Sequence, residues 1–575
     1  MDQKIIEKAK LWGSNSYFSD SDRAEILKLL ENLPANEVEL NERFYRDLEF
    51  GTGGLRAPIG MGQNRMNRYN VRRATQALSQ MIIKNFGGGS AVIAYDSRNF
   101  SKEFALEAAG VFAANGIKAH VFRVLTPVPM LSFGVRYFKA QAGIMITASH
   151  NPPIYNGLKA YWNDGAQVVP PVDKEIINAY NELTDWQTIK YMPFEEALAK
   201  GLAVWTDETV DEAFYQVVEK KVIQDRNFCQ KNGAELSIVY TALHGTGQVP
   251  CTYILQRLGF TKHYSIPEQA MPNGNFPTVK SPNPEDPYAL KLATDYMLQN
   301  KADIVYGTDP DCDRLGVVVN NHGKPEIING NQIAALMLYY VFKKKMELKT
   351  LPANALVVKS IVTSPLQNAI VESFGGTVMD TLTGFKWMAA LIRDLEEKKS
   401  KYNFVFASEE SFGYMPHAES RDKDGVSSVA LMSEVALYFK LQGKNLIEAL
   451  DEIYTRYGFY YESLLSQDYE GIAGGQKIAR IMDFFRQYPE AHFAGEKIAS
   501  TEDFEKGLNL PKSNVLSFTF ENGNKLFLRP SGTEPKIKFY VMVRETEGDL
   551  ATKKINALKK VKNIEDKILE ICEKI

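Results

Sequence analysis

The chain has 575 residues, and its hydrophobic share of 45% and charged share of 24% are those of an ordinary globular protein. That composition excludes a disordered, collagen-like or coiled-coil chain. With 67 Lys and Arg against 70 Asp and Glu, the net charge of -3 leaves no electrostatic footprint for nucleic acid or an anionic membrane. No apolar run is long enough to span a bilayer; the longest, around Ala334–Phe342, stops at three lysines. The N-terminus mixes acid and base and lacks an apolar signal core, so a cytoplasmic protein is expected. Four scattered cysteines form no Cys-x-x-Cys pair, which argues against a disulfide framework or a zinc ribbon.

Taken in chain order, Ala91–Tyr95 reads as a buried strand. Ser101–Ala114 then reads as a helix stopped at Gly116, and Ala119–Leu125 and Gly143–Thr147 as further strands. Just beyond the last of these lies Thr147-Ala-Ser149-His150-Asn151-Pro-Pro. Ligands bind past strand ends in open α/β sheets, so Ser149, flanked by His150, Asn151 and prolines, is expected to be exposed and stiffly held. An ordinary turn explains the same residues locally.

Strands are predicted again at Leu236–Tyr240 and Asp303–Tyr306. The second is followed by Gly307-Thr-Asp309-Pro-Asp311-Cys-Asp313-Arg314. Three carboxylates at alternate positions repel one another unless a cation neutralises them, and hard oxygen donors suit Mg²⁺ or Ca²⁺. An EF-hand would need Gly and Glu where Arg314 and Asn320 stand, so that loop type is excluded. A solvated acidic turn is the plain alternative.

Ala355–Val358 and Phe404–Ala407 are the next predicted strands. Ser408-Glu409-Glu410-Ser411-Phe412-Gly413 follows, able to hydrogen-bond a polyol, although the acidic first turn of a helix would look the same. The final stretch changes character. Val515–Phe520, Lys525–Leu528 and Ile537–Val543 read as strands, the first two joined by a hairpin signal at Glu521-Asn-Gly-Asn524. Between the second and third lies Arg529-Pro-Ser531-Gly532-Thr533-Glu534-Pro535. Its arginine, hydroxyls and glycine suit a phosphate, or a plain turn. A terminal helix carries Ile555, Leu558, Val561, Ile564, Ile568 and Ile571 at helical spacing.

The alternation predicts an α/β protein: three successive mixed-sheet α/β domains at 1–210, 211–325 and 326–455, then a C-terminal α+β domain at 456–575. A P-loop, a complete G-x-G-x-x-G, a G-x-S-x-G elbow and an H-E-x-x-H are all absent from the sequence. The four polar clusters are separated by 160, 100 and 120 residues, one per domain. Together they ask for a phosphorylated, hydroxyl-rich substrate and metal-assisted phosphoryl transfer.

The motifs T-A-S-H-N-P, G-x-D-x-D-x-D-R, E-E-S-F-G and R-P-S-G-T-E-P resemble, in order, the four active-site loops of the α-D-phosphohexomutase superfamily. Phe50-Gly-Thr-Gly-Gly-Leu-Arg56, Leu243-His-Gly-Thr-Gly247 and Thr383-Gly384-Phe-Lys386-Trp387 extend the likeness over about residues 45–545. The form of the last loop resembles the phosphoglucomutase branch, which includes phosphopentomutases. The resemblance implies four domains around a central cleft and a cycle through a phosphoserine and a bisphosphorylated sugar, interconverting glucose 1-phosphate and glucose 6-phosphate.

It also implies roles for individual residues. Ser149 would carry the phosphate and, with Asp309, Asp311 and Asp313, hold Mg²⁺. Arg56, His150, Lys159 and Arg314 would surround the phosphoserine. Glu409, Ser411, Thr383 and Gly384 would bind the sugar, and Arg529, Ser531, Gly532 and Thr533 the non-reacting phosphate. Phosphomannomutase-type relatives carry Gly-His after the sugar-loop serine; here Phe412-Gly413 follows Ser411, which shifts acid/base work to Lys386. Glucose 1,6-bisphosphate is the implied activator, and small sugar phosphates the only implied partners. A phosphomannomutase or phosphopentomutase would share these residues. A haloacid-dehalogenase-like enzyme, using Asp309-Pro-Asp311 for an aspartyl phosphate, and a non-catalytic sugar-phosphate sensor are the rival classes.

Overall fold

The computed structural model describes residues 2–51, 53–469, 471–487, 495–531 and 536–575. Its contacts divide the chain into two compact units. One holds the chain through Gly330 with Phe385–Ala407 and Ser411–Gln442; the other holds Asn331–Gly384, Ser408–Glu410 and Gly443–Ile575.

The first unit contains two mixed sheets. The first sheet has β1 (Gly54–Pro58), β2 (Ser90–Tyr95), β3 (Lys118–Val121), β4 (Ala142–Ile146), β5 (Tyr155–Trp162) and β6 (Ala203–Trp205), in the order β1-β5-β4-β2-β3-β6. The strands β4, β2, β3 and β6 run parallel, whereas β5 lies antiparallel to both β4 and β1. All five residues of β4 are buried, as expected of a strand covered on both faces. The helix Ser101–Ala114 forms over the residues its periodicity indicates, packing Phe104, Ala108 and Phe112 onto this core. The second predicted strand, Ala119–Leu125, is shorter than expected and forms β3. It leaves the sheet after Val121, and Thr126 N–H instead donates to Tyr95 O, which turns the chain toward Pro127.

Three helices, Gln3–Ser14, Asp20–Glu31 and Leu33–Phe44, precede this sheet, where the sequence patterns predict no element. They build a second apolar cluster in which Trp12 stacks on Phe18 at 3.9 Å, with Tyr69 and Trp186 beside them. The Tyr69 hydroxyl donates to Asp22 at 2.7 Å, satisfying the buried polar end of the ring.

The second sheet comprises β7 (Ile238–Thr241), β8 (His263–Ser265), β9 (Ile304–Gly307), β10 (Gly316–Asn321) and β11 (Lys324–Ile328), ordered β11-β10-β9-β7-β8. Here β9, β7 and β8 are parallel and the β9-β10-β11 side is antiparallel.

In the second unit, β12 (Ala355–Ser360) and β13 (Thr377–Thr381) pair in parallel. The next strand, β14 (Asn403–Glu409), belongs to the first unit through Ala407 and to the second at Ser408 and Glu409; it runs two residues past the predicted Ala407, so the acidic cluster begins inside a strand and no helix starts there. The short strand β15 (Gly413–Met415) follows in the first unit. The second unit closes with an antiparallel sheet of β16 (Phe459–Asp468), β17 (Ile498–Asp503), β18 (Leu516–Phe520), β19 (Lys525–Pro530) and β20 (Lys536–Glu545), ordered β16-β20-β19-β18-β17. The terminal helix Leu550–Lys574 buries Ala557, Val561, Ile564, Ile568 and Ile571. Ile555 and Leu558, counted into the same apolar stripe from spacing, are instead 66% and 50% exposed, because the buried face runs through Lys553 and Ala557.

Candidate active site

The first unit brings two of the four sequence clusters together. Strand β4 ends at Ile146 and delivers Thr147–Asn151 to its carboxyl end. Ser149 takes a left-handed φ of 51°, and its N–H donates to Thr147 Oγ1 at 2.8 Å. Ser149 is not the exposed residue expected from its flanking turn formers: only 4% of its surface is accessible. The loop is drawn in because Ser149 Oγ donates to Asp309 Oδ2 at 2.8 Å and Thr147 Oγ1 donates to Asp311 Oδ2 at 3.2 Å. His150 Nδ1 lies 3.2 Å from the same Oγ. Burial, then the charges of Arg314 and Arg56, hold its imidazole well below the ordinary histidine range, so the ring is neutral at pH 7.

The acidic loop follows β9, as expected. Asp309, Asp311 and Asp313 are buried, and each offers an oxygen within 4.8 Å of the others. The backbone N–H groups of Asp313 and Arg314 donate to Asp309 Oδ1 at 3.1 and 3.0 Å, folding the loop back on itself. Burial and the charges of Asp311 and Asp313 push the Asp309 carboxyl well above the usual range. Burial works in the same direction on Asp313, but Lys159, Lys423 and Arg314 outweigh it and hold that carboxyl well below the usual range.

The donor set fits a divalent cation. Asp311 Oδ1 and Asp313 Oδ1 are buried without a hydrogen-bond partner among the described residues, which is costly unless a cation takes them. The three carboxylates could hold a divalent cation.

Behind the acidic loop lies Leu243–Gly247. Thr246 N–H donates to Pro310 O at 2.8 Å, and a Cβ on Gly245 would stand 2.4 Å from Pro310 Cα, so only glycine permits this approach. Leu243 and His244 both adopt positive φ to make the turn.

Cations line the carboxylates. Lys159, on β5, donates to Asp311 Oδ2 at 2.8 Å and Asp313 Oδ2 at 3.1 Å. Burial opposes its charge, yet Asp311 and Asp313 hold its pKa above the ordinary lysine value. Arg314 forms an ion pair with Glu285, and its Nε is 4.0 Å from Asp313 Oδ1. Arg56, on β1, is exposed and donates to Asn151 Oδ1 at 3.1 Å. Lys386 stands 4.0 Å from Asp173 Oδ2, and burial draws its pKa below the ordinary value despite that carboxylate. Ser411 is half-buried at the turn before β15, ahead of Phe412 at a φ of 62°.

Two contributors carried no sequence motif. Lys423 places Nζ 3.2 Å from Asp313 Oδ2 and 3.5 Å from Asp422 Oδ1. Arg98 holds the carbonyls of the Ser149 loop. Both follow a strand, Arg98 closely after β2 and Lys423 in the loop after β15, and that position was their only available signal.

In the second unit, Glu409 is buried and accepts from Gly384 N–H, which joins the Thr383-Gly384 turn to the third cluster. The neighbouring Glu410 accepts from Ser360 Oγ at 2.9 Å and Thr363 Oγ1 at 3.0 Å. Arg529 belongs to β19, and Ser531 N–H donates to Lys536 O at 2.7 Å, closing the neck of the fourth loop. Burial and then the charge of Glu410 push the Tyr540 phenol up, while Arg529 draws it down. Gly532 and Thr533 lie outside the described residues.

Comparison with known proteins adds three findings. The phosphoglucomutase/phosphomannomutase α/β/α domains I, II and III match residues 47–186, 214–323 and 329–457. A phosphoglucomutase of Staphylococcus aureus strain MSSA476 is 34% identical over 536 residues, covering 91% of this chain and 94% of the relative. That of the bovine strain RF122 is 35% identical over 534 residues, with the same coverage. Among solved structures, the Paramecium phosphoprotein parafusin, a phosphoglucomutase in open form, superposes with a TM-score of 0.69 at 20% identity. It covers 92% of this chain and 96% of that one. A phosphoglucomutase/phosphomannomutase family protein of Burkholderia thailandensis gives 0.66 at 18%, covering 91% and 97%. These two likenesses bear on the fold, which agrees with the α/β architecture described above.

Proposed function

The chain belongs to the phosphoglucomutase/phosphomannomutase family, and from that premise we propose that it interconverts glucose 1-phosphate and glucose 6-phosphate through phosphate carried on Ser149. The observation that carries this reading is the contact of Ser149 Oγ with Asp309 Oδ2, inside a buried carboxylate triad faced by Lys159. A haloacid-dehalogenase-like reading would leave Ser149 without a role, and the sequence relatives do not favour it. The intact serine and all three aspartates also speak against a sensor.

Asp309, Asp311 and Asp313 would hold Mg²⁺, which when bound supplies positive charge to the phosphoryl oxygens. A phosphoserine carries a charge of about -1.5 to -2 at pH 7. Lys159 and Arg56 offset that charge, and Arg314 steadies the acidic loop. A sugar hydroxyl attacks phosphorus, the new O–P bond forms, and the bond to Ser149 Oγ breaks. His150, neutral and beside Oγ, orients the serine. Lys386, whose pKa burial lowers, takes the proton of the attacking hydroxyl, and Ser149 Oγ takes up a proton from solvent as its bond to phosphorus breaks. The bisphosphorylated sugar, glucose 1,6-bisphosphate, then returns its other phosphoryl group to Ser149. Glu409, with Thr383 and Gly384, and Ser411 bind the sugar hydroxyls. Arg529, Ser531, Gly532 and Thr533 hold the non-reacting phosphate.

The test is kcat/KM for glucose 1-phosphate, mannose 1-phosphate and ribose 1-phosphate with Mg²⁺ and glucose 1,6-bisphosphate. At least tenfold preference for glucose 1-phosphate is expected; equal or better turnover of either competitor would reassign the substrate. The same assay across pH on Lys386→Ala tests the proton carrier, whose loss should remove one limb of the profile.

A further inference from the structure

Arg98 is fully buried, and both terminal nitrogens of its guanidinium donate to the Ser149 loop. Nη2 donates to Ser149 O at 2.6 Å and also to Asn151 O. Nη1 donates to Pro152 O and Tyr155 O, both at 2.9 Å. Four carbonyls within seven residues of chain are therefore gathered by one planar group.

The guanidinium is itself fixed from two sides. Asp96 Oδ2 lies 3.4 Å from Nε, both side chains are fully buried, and Asp96 Oδ1 accepts from Arg98 N–H at 2.9 Å and Ser101 Oγ at 2.7 Å. The ring of Phe276 covers the guanidinium at 5.0 Å, a cation–π distance. A buried charge is kept in a fold only where its partners replace the water it has lost, and here they do. The loop it holds contains a non-glycine residue at positive φ, a conformation that persists only when its surroundings over-determine it.

We propose that Arg98 is a positioning residue for phosphoryl transfer: by clamping the carbonyls of residues 149–155 it keeps Ser149 in its left-handed conformation, with Oγ directed at Asp309. It touches neither substrate nor the reacting atoms. Lysine cannot replace it, because a single ammonium donates from one point and cannot reproduce a planar fork serving four acceptors. This inference rests on Ser149 being the phosphate acceptor.

The experiment follows phosphorylation of Ser149 by excess glucose 1,6-bisphosphate with Mg²⁺, using intact-protein mass spectrometry after rapid quench. It yields a rate constant and an amplitude. For Arg98→Lys the rate constant at saturating bisphosphate is expected to fall at least tenfold, with half-saturation within about twofold of wild type. A merely structural role would lower the amplitude, the fraction of protein able to react, and leave the rate constant of the remainder unchanged; that result overturns the proposal. Phe276→Leu keeps the test open if Arg98→Lys does not fold. It removes the stacking face while leaving every hydrogen bond, and a two- to fivefold lower rate constant at full amplitude is expected. A wild-type rate in Phe276→Leu together with an unfolded Arg98→Lys also overturns the proposal. Failure of the wild-type protein to take phosphate at all would instead defeat the functional reading beneath it.

Discussion

Lys159 holds two carboxylates at once, Asp311 at 2.8 Å and Asp313 at 3.1 Å, from a side chain only 13% exposed. Removing one partner of a buried pair leaves uncompensated charge, at a cost of about 3–5 kcal/mol. Lys159→Met is therefore expected to lower the thermal midpoint clearly and to reduce turnover at least tenfold, about 1.4 kcal/mol of transition-state stabilisation. Added Mg²⁺ should restore much of the stability, because it neutralises the same oxygens, but little of the turnover. A calorimetric scan with and without Mg²⁺, beside the activity assay, checks both. Lys159 was found in the sequence only through the family likeness. Its strand, β5, lies antiparallel between β4 and β1, so its neighbours come from positions 142–146, 54–58 and 311–313. No local pattern encodes that convergence.

At the scale of elements, the loop from Pro416 to Asp424 shows how a polar segment is fixed. His417 Nε2 lies 3.0 Å from Asp424 Oδ2 and 3.1 Å from Ser427 Oγ, and Nδ1 lies 3.3 Å from Glu419 Oε2. Burial opposes protonation of His417, but hydrogen bonds to Asp424 and Glu419 outweigh it, and its pKa is raised above 6.5. A raised folded-state pKa contributes stability that is complete below the unfolded value and is lost as pH rises through the folded value. The thermal midpoint of the wild type relative to His417→Asn should therefore fall as pH rises above about 6.5. A constant difference across pH 6–9 would show that His417 is not charged in the fold. The same loop carries Lys423, which the sequence did not mark, since Arg421-Asp-Lys423-Asp reads as any solvated charge run. By contrast β2, β4, β7, β9, β12 and β14 were legible as apolar runs, with ends off by one or two residues. Hydrogen bonding sets those ends, and composition does not record it. Strand β19 includes Arg529 and Pro530, so the fourth cluster begins within a sheet rather than after it.

Across the whole molecule, Ser149, the three carboxylates and their lysines belong to one unit, while Glu409, Gly384 and Arg529 belong to the other. The order of the four clusters along the chain was readable because each sits at or beside a strand end. Ser408–Glu410 belongs to a different unit from its neighbours on either side, a placement that no local pattern in the sequence marks. If Arg529 holds a non-reacting phosphate, Arg529→Ala should raise KM for both glucose 1-phosphate and glucose 6-phosphate at least tenfold. Phosphate on Ser149 should persist in that variant. Unchanged KM values, with Ser149 no longer phosphorylated, would move Arg529 to the reacting end. The most direct measurement is peptide mass spectrometry of the active protein, after glucose 1,6-bisphosphate and before turnover with monophosphate. The account requires one acid-stable phosphate on the peptide containing Ser149, discharged by glucose 1-phosphate and absent, with activity, from Ser149→Ala. An active protein whose Ser149 is never phosphorylated, or whose phosphate is an acid-labile acyl phosphate on Asp309, would contradict it.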